Sequence, residues 1–479
     1  MSAPPSALFT DLYQLTMMQG YLQAGLGDEE ACFDLFFRTN PFGGGYTVFA
    51  GLEDALEYLA SLHFTDEDIA YLHSLKIFSA GFLDYLRRFR FNGEVYSHTE
   101  GSIVFPLEPV LRVKAPLFEA QLVETALLNI VNFQSLIATK SARICHEAGE
   151  DRVVEFGLRR AQGVDGGITA AKAAYIGGCS ATSNVHAGKI FGIPVKGTHA
   201  HSWVTAFPDE LSAFRKFVEI YPVNPILLVD TYDTLKSGIP NAITVGQEMK
   251  ERGGNLFGVR LDSGDLAFLS VETRRMLDSA GLADVKIVCS NELDEHIIHD
   301  LGIQGARIDL YGVGTRLVTA HGEPATSGVY KLAAIRRAGE DWRMKLKFSE
   351  GMKKASLPGV KQVYRMSGAD GAMMADLIEL ENGEPDFSAG VWGFHPAMEY
   401  HRKFYSGVAA AQPLLTPAMV DGVITASIPP LAETRDRVKR ELDKLHPTVK
   451  RLLNPHIYKV SLGPRLNTAT KKLREELAR

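Results

Sequence analysis

Seven stretches in the middle of the chain are rich in side chains that bind phosphate or transfer protons, namely Arg, Asp, His, Ser, Thr and Gly. Arginine binds phosphate oxygens through two parallel hydrogen bonds, and glycine lets backbone N–H groups approach a phosphate closely. One polar stretch is typical of a solvated loop, but seven in succession favour a single shared site for a polyphosphate ligand. The stretches are 156–160, 182–184, 197–202, 230–233, 260–265, 290–292 and 312–316.

Four aspartates in these stretches, Asp230, Asp233, Asp262 and Asp265, could hold Mg²⁺ on phosphates, bind ribose hydroxyls or orient a base. The structural alternative is a cap on the first turn of a helix. A cap is favoured for Asp265, which follows Ser-Gly at the start of a helical pattern. Asp230 ends the apolar run ILLVD, where a buried carboxylate without a partner would be costly, so a functional role is favoured for it.

Two histidines in the stretch GTHAHS compete for one chemical role. His201 opens a helical pattern, and a helix N-terminus disfavours a protonated imidazole but favours a phosphate placed on the ring. Phosphohistidine is therefore physically reasonable at His201. His199 is an equal competitor by spacing, and a histidine that only packs is the commoner case, so the pattern alone leaves the choice open.

The turn Gly312-Val313-Gly314-Thr315 could seat a phosphate at the end of a late strand. The alternative is a tight turn that needs glycine for a positive φ, and on the turn alone this alternative is favoured. No GK[ST] follows, so the turn is not a Walker motif. No GxGxxG fingerprint follows a predicted strand either.

The elements that must position these residues are short apolar runs, most of which are followed by a helical pattern. Such alternation predicts a parallel sheet with crossover helices, and seven units fit an irregular barrel better than a small open sheet. In a barrel of this kind the active residues gather at the carboxyl ends of the strands, where the polar stretches stand. The predicted strands are 153–156, 178–183, 193–197, 226–230, 257–261, 286–289 and 309–313.

The barrel pattern divides the chain into three segments. Residues 1–140 predict a mixed α/β domain that ends in one long helix, from 117 to about 140. Residues 141–345 carry the barrel. In residues 346–479 the pattern loosens, apart from an amphipathic helix at 433–446 and a helical tail.

Composition excludes several function classes. The 479 residues are 46% hydrophobic and 23% charged, which is typical of a globular protein. The net charge of −6 argues against a general nucleic-acid or membrane-surface binder, and no apolar run approaches the ~18 residues of a membrane span. The beginning of the sequence shows no secretory signal. Four scattered cysteines without a CxxC pair predict a reducing, cytoplasmic location without a disulfide framework or zinc knuckle.

Several strings resemble the nicotinate phosphoribosyltransferase family, in the same order, from residue 9 to about 332 and again near the C-terminus. The resemblance implies a type II phosphoribosyltransferase, in which an irregular α/β barrel is packed with an N-terminal α/β sandwich domain that the C-terminal segment completes. It also implies a homodimer with shared active sites. The strings are FTDLYQLTMMQGY, FRTNPFGGGY, EFGLRRAQG, GTHAHSWV, LLVDTYDTLKSG, GVRLDSGDL, CSNELDE, YGVGTRLVT, GVYKL and NPHIYKVSLG.

The resemblance implies a specific reaction. Nicotinate is joined to phosphoribosyl pyrophosphate (PRPP) to give nicotinate mononucleotide and pyrophosphate, which is the first step of NAD salvage from nicotinate. ATP hydrolysis is coupled through a phosphohistidine, so the enzyme is classed as a ligase, and Mg²⁺ takes part.

The resemblance also implies roles for individual residues. His201 matches the phosphorylated histidine, and Asp230 would orient it. Residues that would bind nicotinate are Thr198, Arg260, Ser183, and the two aromatic rings of Phe156 and of Tyr13, the last supplied by the other subunit. Residues that would bind PRPP are Arg159, Asp262, Gly312, Gly314 and Thr315, with Arg316 as a possible extra phosphate contact; the Mg²⁺ ligands remain unassigned.

Ser183 separates this reading from its nearest alternative, nicotinamide phosphoribosyltransferase, in which the resemblance places an aspartate at this position. An aspartate would repel the nicotinate anion, whereas a serine can donate a hydrogen bond to it. Two further alternatives are a barrel aldolase or isomerase acting on a phosphorylated sugar, with Lys196 as the candidate Schiff-base lysine, and a binding protein without turnover. Quinolinate phosphoribosyltransferase fits less well, since its dicarboxylate substrate needs more cationic residues.

Overall fold

The chain forms two compact units. The first lies within residues 1–139 and 325–479, and the second is 140–324. No helix of the part that is described has both the length and the apolar character needed to cross a membrane. The computed structural model of the protein describes residues 6–347, 356–398 and 400–477.

The amino-terminal part of the first unit supplies helices and the centre of a mainly apolar sheet. Its elements are α1 (Leu12–Gln23), β1 (Glu29–Phe37), β2 (Thr47–Val48), α2 (Leu52–Ser61), α3 (Asp66–Ser74), α4 (Ala80–Arg88), β3 (Glu94–Ser97), β4 (Ile103–Val104), β5 (Leu111–Pro116), α5 (Leu117–Leu122) and α6 (Glu124–Ala148). Strand β1 is buried along almost its whole length, and the apolar residues of its sequence EEACFDLFF all lie in the interior. Its one interior carboxylate, Asp34, is paired at 2.7 Å with the buried ammonium of Lys361.

The long helix predicted from 117 to about 140 is divided in the structure. Helix α5 ends at Leu122, and α6 begins at Glu124 and continues to Ala148. All six residues of α5 are buried, and α5 packs on α1 and on β1. Helix α5 is therefore buried on all sides. The helical pattern of the sequence alone does not distinguish this short buried helix from the first turns of a longer one.

The second unit has the predicted alternation of strands and helices. Its elements are β6 (Val153–Glu155), α7 (Val164–Ile176), β7 (Ala181–Thr182), α8 (Val185–Phe191), α9 (His201–Thr205), α10 (Glu210–Ile220), β8 (Ile226–Leu228), α11 (Ile239–Glu251), β9 (Gly258–Leu261), α12 (Leu266–Ser279), β10 (Lys286–Cys289), α13 (Glu295–Ile303), β11 (Leu310–Val313) and α14 (Thr315–Val318). The strands form one sheet in the order β7-β6-β11-β10-β9-β8, and every neighbouring pair is parallel.

One of the seven predicted strands, 193–197, is reduced to a single parallel bridge between Val195 and Thr182 of β7. At the opposite edge of the sheet, the amide of Leu228 on β8 donates to Nε2 of His199 at 3.1 Å. The His199 side chain thus accepts the hydrogen bond that the backbone of a further strand would otherwise accept.

Two of the four candidate aspartates cap helices. The carboxylate of Asp265 accepts from the amide of Phe268 at 3.0 Å, which confirms the cap predicted for it. Asp233 accepts from the amides of Leu235 and Lys236 at the start of a short helical segment, Thr234–Gly238, which leads into α11. The other two aspartates have different partners, described with the site.

The carboxyl-terminal part of the first unit forms a second sheet that the loose sequence pattern did not predict. Its elements are β12 (Gly328–Arg337), β13 (Arg343–Met344), β14 (Lys361–Ser367), β15 (Met373–Leu380), β16 (Val391–Phe394), β17 (Arg402–Tyr405), β18 (Ala410–Pro413), β19 (Thr416–Val420), β20 (Val423–Ile424), α15 (Leu431–Lys444), β21 (Val460–Leu462) and α16 (Pro464–Leu477). One sheet runs β13-β12-β1-β5-β3-β19-β20, and the second runs β17-β16-β21-β15-β14-β18. Strand β12 lies within the segment 141–345 that the sequence assigned to the barrel, but it pairs with β1 of the first unit.

A buried carboxyl in the first unit makes its stability depend on pH. Burial raises the pKa of Glu119, on α5, to about 7, while one carboxyl oxygen accepts from the amide of Asn92 at 3.0 Å. The folded state holds this proton more tightly than the unfolded chain, so the stabilisation is present below about pH 4.3 and is lost as the pH rises through 7.

We expect Glu119→Gln to raise the free energy of unfolding at pH 8.5 by up to about 3 kcal/mol, and to leave it nearly unchanged at pH 4.5. The reason is that glutamine keeps the hydrogen bond to Asn92 without a charge to bury. Denaturant unfolding of both proteins at the two pH values measures the difference. Equal pH dependence of parent and variant would show that Glu119 is not the group responsible.

Candidate active site

A cavity of about 490 Å³ opens at the carboxyl ends of the strands in the second unit. This is the place where a parallel α/β sheet carries its active site. Residues from six strand exits and from the segment 197–201 contribute to its lining. The predicted site residues among them are Phe156, Arg159, Ser183, Thr198, His201, Arg260, Asp262, Gly312, Gly314 and Thr315.

Arg260, on β9, is held in the cavity by three side-chain hydrogen bonds. Its Nε donates to Ser290 Oγ at 2.8 Å, Nη1 donates to Thr198 Oγ1 at 2.9 Å, and Nη2 donates to Asp262 Oδ1 at 3.0 Å. The guanidinium carbon lies 5.6 Å from the ring centroid of Phe156. The exits of β9 and β10 and the segment 197–201 therefore hold the guanidinium beside an aromatic face, a suitable surface for a flat anion.

The two glycines of the late turn are required by close approach to Phe156. A Cβ on Gly312 would lie 2.5 Å from Cδ2 of the Phe156 ring, and a Cβ on Gly314 would lie 3.1 Å from the Phe156 carbonyl oxygen. Neither glycine is among the residues with positive φ. The alternative favoured on the turn alone, glycine for a positive φ, is therefore wrong. Gly312 instead leaves room for the Phe156 ring, and Gly314 leaves room for the Phe156 backbone.

His201 stands at the edge of the cavity with its ring half-exposed. Its Nδ1 is 3.1 Å from Thr231 Oγ1, and its Nε2 is 3.8 Å from Asp262 Oδ2. A neutral imidazole that donates from Nδ1 to the Thr231 hydroxyl keeps a free lone pair on Nε2. The ring can then act as a nucleophile towards the cavity.

His199 is a packing histidine. Burial lowers its pKa to about 4, so the ring is neutral at physiological pH. Nε2 accepts from the amide of Leu228, and Nδ1 lies 3.3 Å from the carbonyl oxygen of Ala200. Its ring also packs on Phe217, with the ring centroids 4.7 Å apart. Both nitrogens thus have partners within the fold, and of the two histidines only His201 lines the cavity. The chemical role of His201 stays a prediction.

Asp230 has a different position from the one predicted for it. It was expected to orient His201, but that ring is paired with the next residue, Thr231. The Asp230 carboxylate accepts from the backbone amide of Asp262 at 3.1 Å and from Ser263 Oγ at 2.5 Å. Asp230 therefore holds the loop that follows β9, and its influence on the cavity passes through the position of Asp262.

Arg316, offered as an extra phosphate contact, is paired instead with carboxylates. Its Nη1 lies 2.6 Å from Oδ2 of the buried Asp294, and its Nε lies 3.7 Å from Glu292. Thr315 lines the cavity and donates from Oγ1 to Glu292 at 3.0 Å. The arginine thus stabilises the loop on which Thr315 stands.

A buried carboxyl supports the side of the cavity that carries Phe156 and Ser183. Glu155 accepts from Thr182 Oγ1 at 2.6 Å and also from the amide of Gly157, and burial raises the pKa of this carboxyl. The amide of Ser183 donates to the Glu155 carbonyl at 2.9 Å. The exits of β6 and β7 are therefore tied to each other. Arg159 follows in a short 3-10 turn and is exposed to the cavity.

Four further lining residues with polar side chains received no individual role from the sequence. Three of them, Ser290, Asn291 and Glu292, follow β10, and the fourth is Arg160. The backbone of Asn291 has a φ of 104°, which asparagine adopts more readily than most residues. The only available signal was that 290–292 is a polar stretch after an apolar run, which does not separate a site residue from a turn residue.

Within the described ranges no group of three or more His, Cys, Asp and Glu side chains is arranged to hold a metal ion. The carboxylates that line the cavity are those of Asp262 and Glu292. A cation here would therefore depend on ligand phosphates for most of its coordination, as Mg²⁺ commonly does.

Tyr13 belongs to the first unit, on α1, where its side chain is exposed. Its predicted contact with the pyridine ring of a neighbouring subunit's site stays a prediction. Lys196, the candidate Schiff-base lysine of the aldolase alternative, is exposed and follows Val195 of the bridging segment.

The second unit is a parallel α/β sheet with an arginine, glycines, hydroxyls and carboxylates at its strand exits, as expected for a phosphoribosyltransferase of type II. Models of the N-terminal and C-terminal domains of nicotinate phosphoribosyltransferase match residues 8–132 and 360–470. The chain is 45% identical to nicotinate phosphoribosyltransferase of Bacillus subtilis, over 98% of this chain and 97% of that one. It is 39% identical to nicotinate phosphoribosyltransferase 2 of Arabidopsis thaliana, over 96% and 92%. The chain belongs to the nicotinate phosphoribosyltransferase family.

Solved structures agree with this family. The crystal structure of human nicotinic acid phosphoribosyltransferase superposes with a TM-score of 0.85 and 34% identity, covering 97% of this chain and 99% of the human one. A nicotinate-nucleotide pyrophosphorylase from Pyrococcus furiosus, at 24% identity and a TM-score of 0.69, shares the fold. The predicted family, the fold class and the enzyme class, nicotinate phosphoribosyltransferase of pyridine nucleotide biosynthesis, are confirmed.

Proposed function

We propose that the cavity joins nicotinate to the anomeric carbon of PRPP, with ATP hydrolysis coupled through a phosphate carried on His201. The observation that carries this proposal is the meeting of Phe156, Arg260, His201 and the Gly312–Thr315 turn in one cavity. These groups match the three chemical parts of the reaction: a flat anion, a sugar phosphate and a phosphoryl acceptor.

The nicotinate end of the cavity is formed by Arg260 and Phe156. The guanidinium would receive the carboxylate while the pyridine ring lies on the Phe156 face. Thr198 supports Arg260 at 2.9 Å, and Ser183 can donate a hydroxyl hydrogen to the carboxylate. This is the arrangement expected for an acid rather than an amide.

In the transfer step, the lone pair of the pyridine nitrogen forms the bond to C1 of PRPP. The C1–O bond breaks, and its electron pair leaves with pyrophosphate. The attacking nitrogen of nicotinate carries no proton to be removed, so the step requires no general base. Arg159 and the N–H groups of the late turn would neutralise the phosphates, and Asp262 would bind ribose hydroxyls.

In the coupled step, Nε2 of His201 would attack the γ-phosphorus of ATP, and the P–O bond to ADP would break. Water then releases phosphate from the imidazole, so that the sum is the hydrolysis of one ATP. The hydrogen bond between Nδ1 and Thr231 favours the tautomer with a free Nε2.

Mg²⁺ fits this cavity as a partner of the phosphates, since Asp262 and Glu292 are the carboxylates available to it. When bound, it neutralises phosphate charge and stabilises the leaving pyrophosphate.

We also propose a cytoplasmic homodimer in which Tyr13 of one subunit completes the site of the other. A solution mass of a single 52.5 kDa chain under assay conditions would contradict the dimer.

The proposal is tested by incubating the protein with PRPP and Mg²⁺ and either nicotinate or nicotinamide, with and without ATP. We expect nicotinate mononucleotide and pyrophosphate from nicotinate, and ADP formed alongside. Binding of nicotinate without product would favour the binding-protein alternative, and product without ADP would remove the coupling from the proposal.

The position of Ser183 in the cavity gives a test of substrate choice. We expect Ser183→Asp to lower kcat/KM for nicotinate by roughly 100-fold or more, because two carboxylates about 4 Å apart near the surface repel by a few kcal/mol. The neutral variant Ser183→Asn is the matched control and is expected to lose much less. Unchanged nicotinate kinetics in the aspartate variant would show that Ser183 does not face the carboxylate.

A further inference from the structure

Ser290 follows β10 directly, and its side chain is buried. Strands β9 and β10 are parallel, with Val288 opposite Arg260 and Cys289 opposite Leu261. Side chains two residues apart on a strand share a face, so Ser290 is in register with Asp262 and faces the same side as Arg260. The register therefore places one hydroxyl between the cation and the carboxylate of the cavity.

The chemistry of its two partners determines where the Ser290 hydroxyl donates a hydrogen bond and where it accepts one. Arg260 has only donors, so Ser290 Oγ must accept from Nε, at 2.8 Å. The single hydroxyl hydrogen is then given to Asp262 Oδ1. Ser290 is thus an acceptor for the guanidinium and a donor to the carboxylate at the same time.

The same bonds determine which donors of Arg260 remain for a ligand. A guanidinium has five N–H groups. One on each nitrogen is taken, by Ser290, Thr198 and Asp262. The hydrogen bonds of the described residues leave one N–H on Nη1 and one on Nη2, a pair of donors that can bind both oxygens of a carboxylate.

We propose that Ser290 is a positioning residue that holds the Arg260 guanidinium so that its two remaining N–H groups select a carboxylate over a carboxamide. This inference rests on the proposed function, in which Arg260 receives nicotinate. A carboxylate accepts from both N–H groups. A carboxamide presents its NH₂ to one of them, where two donors face each other.

Without the Ser290 hydroxyl, Nε loses its acceptor and the guanidinium is held by its two outer nitrogens alone. We expect Ser290→Ala to raise the nicotinate KM roughly 10- to 100-fold, the effect of losing a hydrogen bond to a charged group. The inhibition constant of nicotinamide against nicotinate is expected to change little. The preference for the acid over the amide therefore falls by about the same factor as the KM rises.

Two control variants separate positioning from simple loss of stability. Ser270 is another fully buried serine of the second unit, whose hydroxyl donates to the Ala267 carbonyl at 2.9 Å and accepts from the Arg307 amide at 3.0 Å, outside the cavity lining. Ser270→Ala is expected to lower thermal stability without changing the acid-to-amide preference. Ser290→Thr restores a hydroxyl and is expected to recover most of the preference.

The decisive measurement is the effect of Ser290→Ala in an Arg260→Ala background. If Ser290 acts through Arg260, adding the serine variant causes no further rise in nicotinate KM. Two results would overturn the inference. One is a full additional rise in the nicotinate KM when Ser290→Ala is added to Arg260→Ala. The other is an unchanged acid-to-amide preference in Ser290→Ala together with a lowered thermal stability like that of Ser270→Ala. An unchanged nicotinate KM in Arg260→Ala alone would instead overturn the proposed role of Arg260, and so the two failures are distinguishable.

Discussion

Replacing His201 with alanine is expected to abolish the transfer of label from γ-phosphate-labelled ATP to the protein, and with it the ATP hydrolysis that accompanies product formation. The physical reason is that, among the described residues, His201 is the one histidine that lines the cavity, and both ring nitrogens of His199 are engaged within the fold. The measurement is acid-sensitive labelling of the intact protein, read beside ADP release during turnover.

A matched control is available in His186, an exposed histidine on α8 that does not line the cavity. His186→Ala is expected to label as the parent does. Labelling of the His201 variant at the level of the parent would place the phosphoryl acceptor elsewhere and remove the coupled step as proposed. Uncoupled transfer by the His201 variant is compatible with the proposal, because the bond from nicotinate to C1 does not require the imidazole.

Replacing Arg260 with alanine is expected to raise the nicotinate KM roughly 100- to 1,000-fold. Two charge-assisted hydrogen bonds to the carboxylate are lost, and each contributes about 1.5–3 kcal/mol. The variant also leaves the carboxylate of Asp262 beside the nicotinate anion without its cation at 3.0 Å. Steady-state kinetics with nicotinate varied at saturating PRPP give the measurement.

Arg275→Ala is the control variant. Arg275 is two-thirds exposed on α12 and is paired with Glu272, so the nicotinate KM of this variant should stay within about twofold of the parent. Arg260→Lys provides a second comparison. Lysine keeps the charge but not the paired donors, so an intermediate KM is expected. A nicotinate KM that stays unchanged in both Arg260 variants would contradict the assignment of the acid-binding end of the cavity.

The parallel sheet of the second unit could be predicted from the sequence because parallel strands are buried on both faces and therefore appear as short apolar runs. The positions of β8, β9, β10 and β11 all fall within the predicted strands. The second sheet of the first unit could not be predicted in the same way. Its edge strands β17 and β18 are largely exposed and carry no clear alternation of burial, so neither gives the pattern of a half-buried strand.

The sequence predicted which residues meet in the cavity, but it did not predict their individual contacts. The strand exits brought most candidates to one cavity, because parallel strands end at the same edge. Which of His199 and His201 faces the ligand depends on the side chain that satisfies the amide of Leu228, a contact between distant segments. The same limitation applies to Asp230, whose carboxylate turns to the loop after β9 instead of towards His201.

The discontinuity of the first unit has a consequence for how the chain matures on the ribosome. Strand β1 acquires its neighbour β12 only after about 300 further residues have been made, whereas every strand of the second unit finds its partners within the segment 140–324. The ribosome therefore completes the second unit while the edge of β1 that later pairs with β12 still lacks its hydrogen-bonding partner. During that interval the nascent protein is exposed to aggregation at this edge, and a premature stop before β12 would leave the edge permanently open.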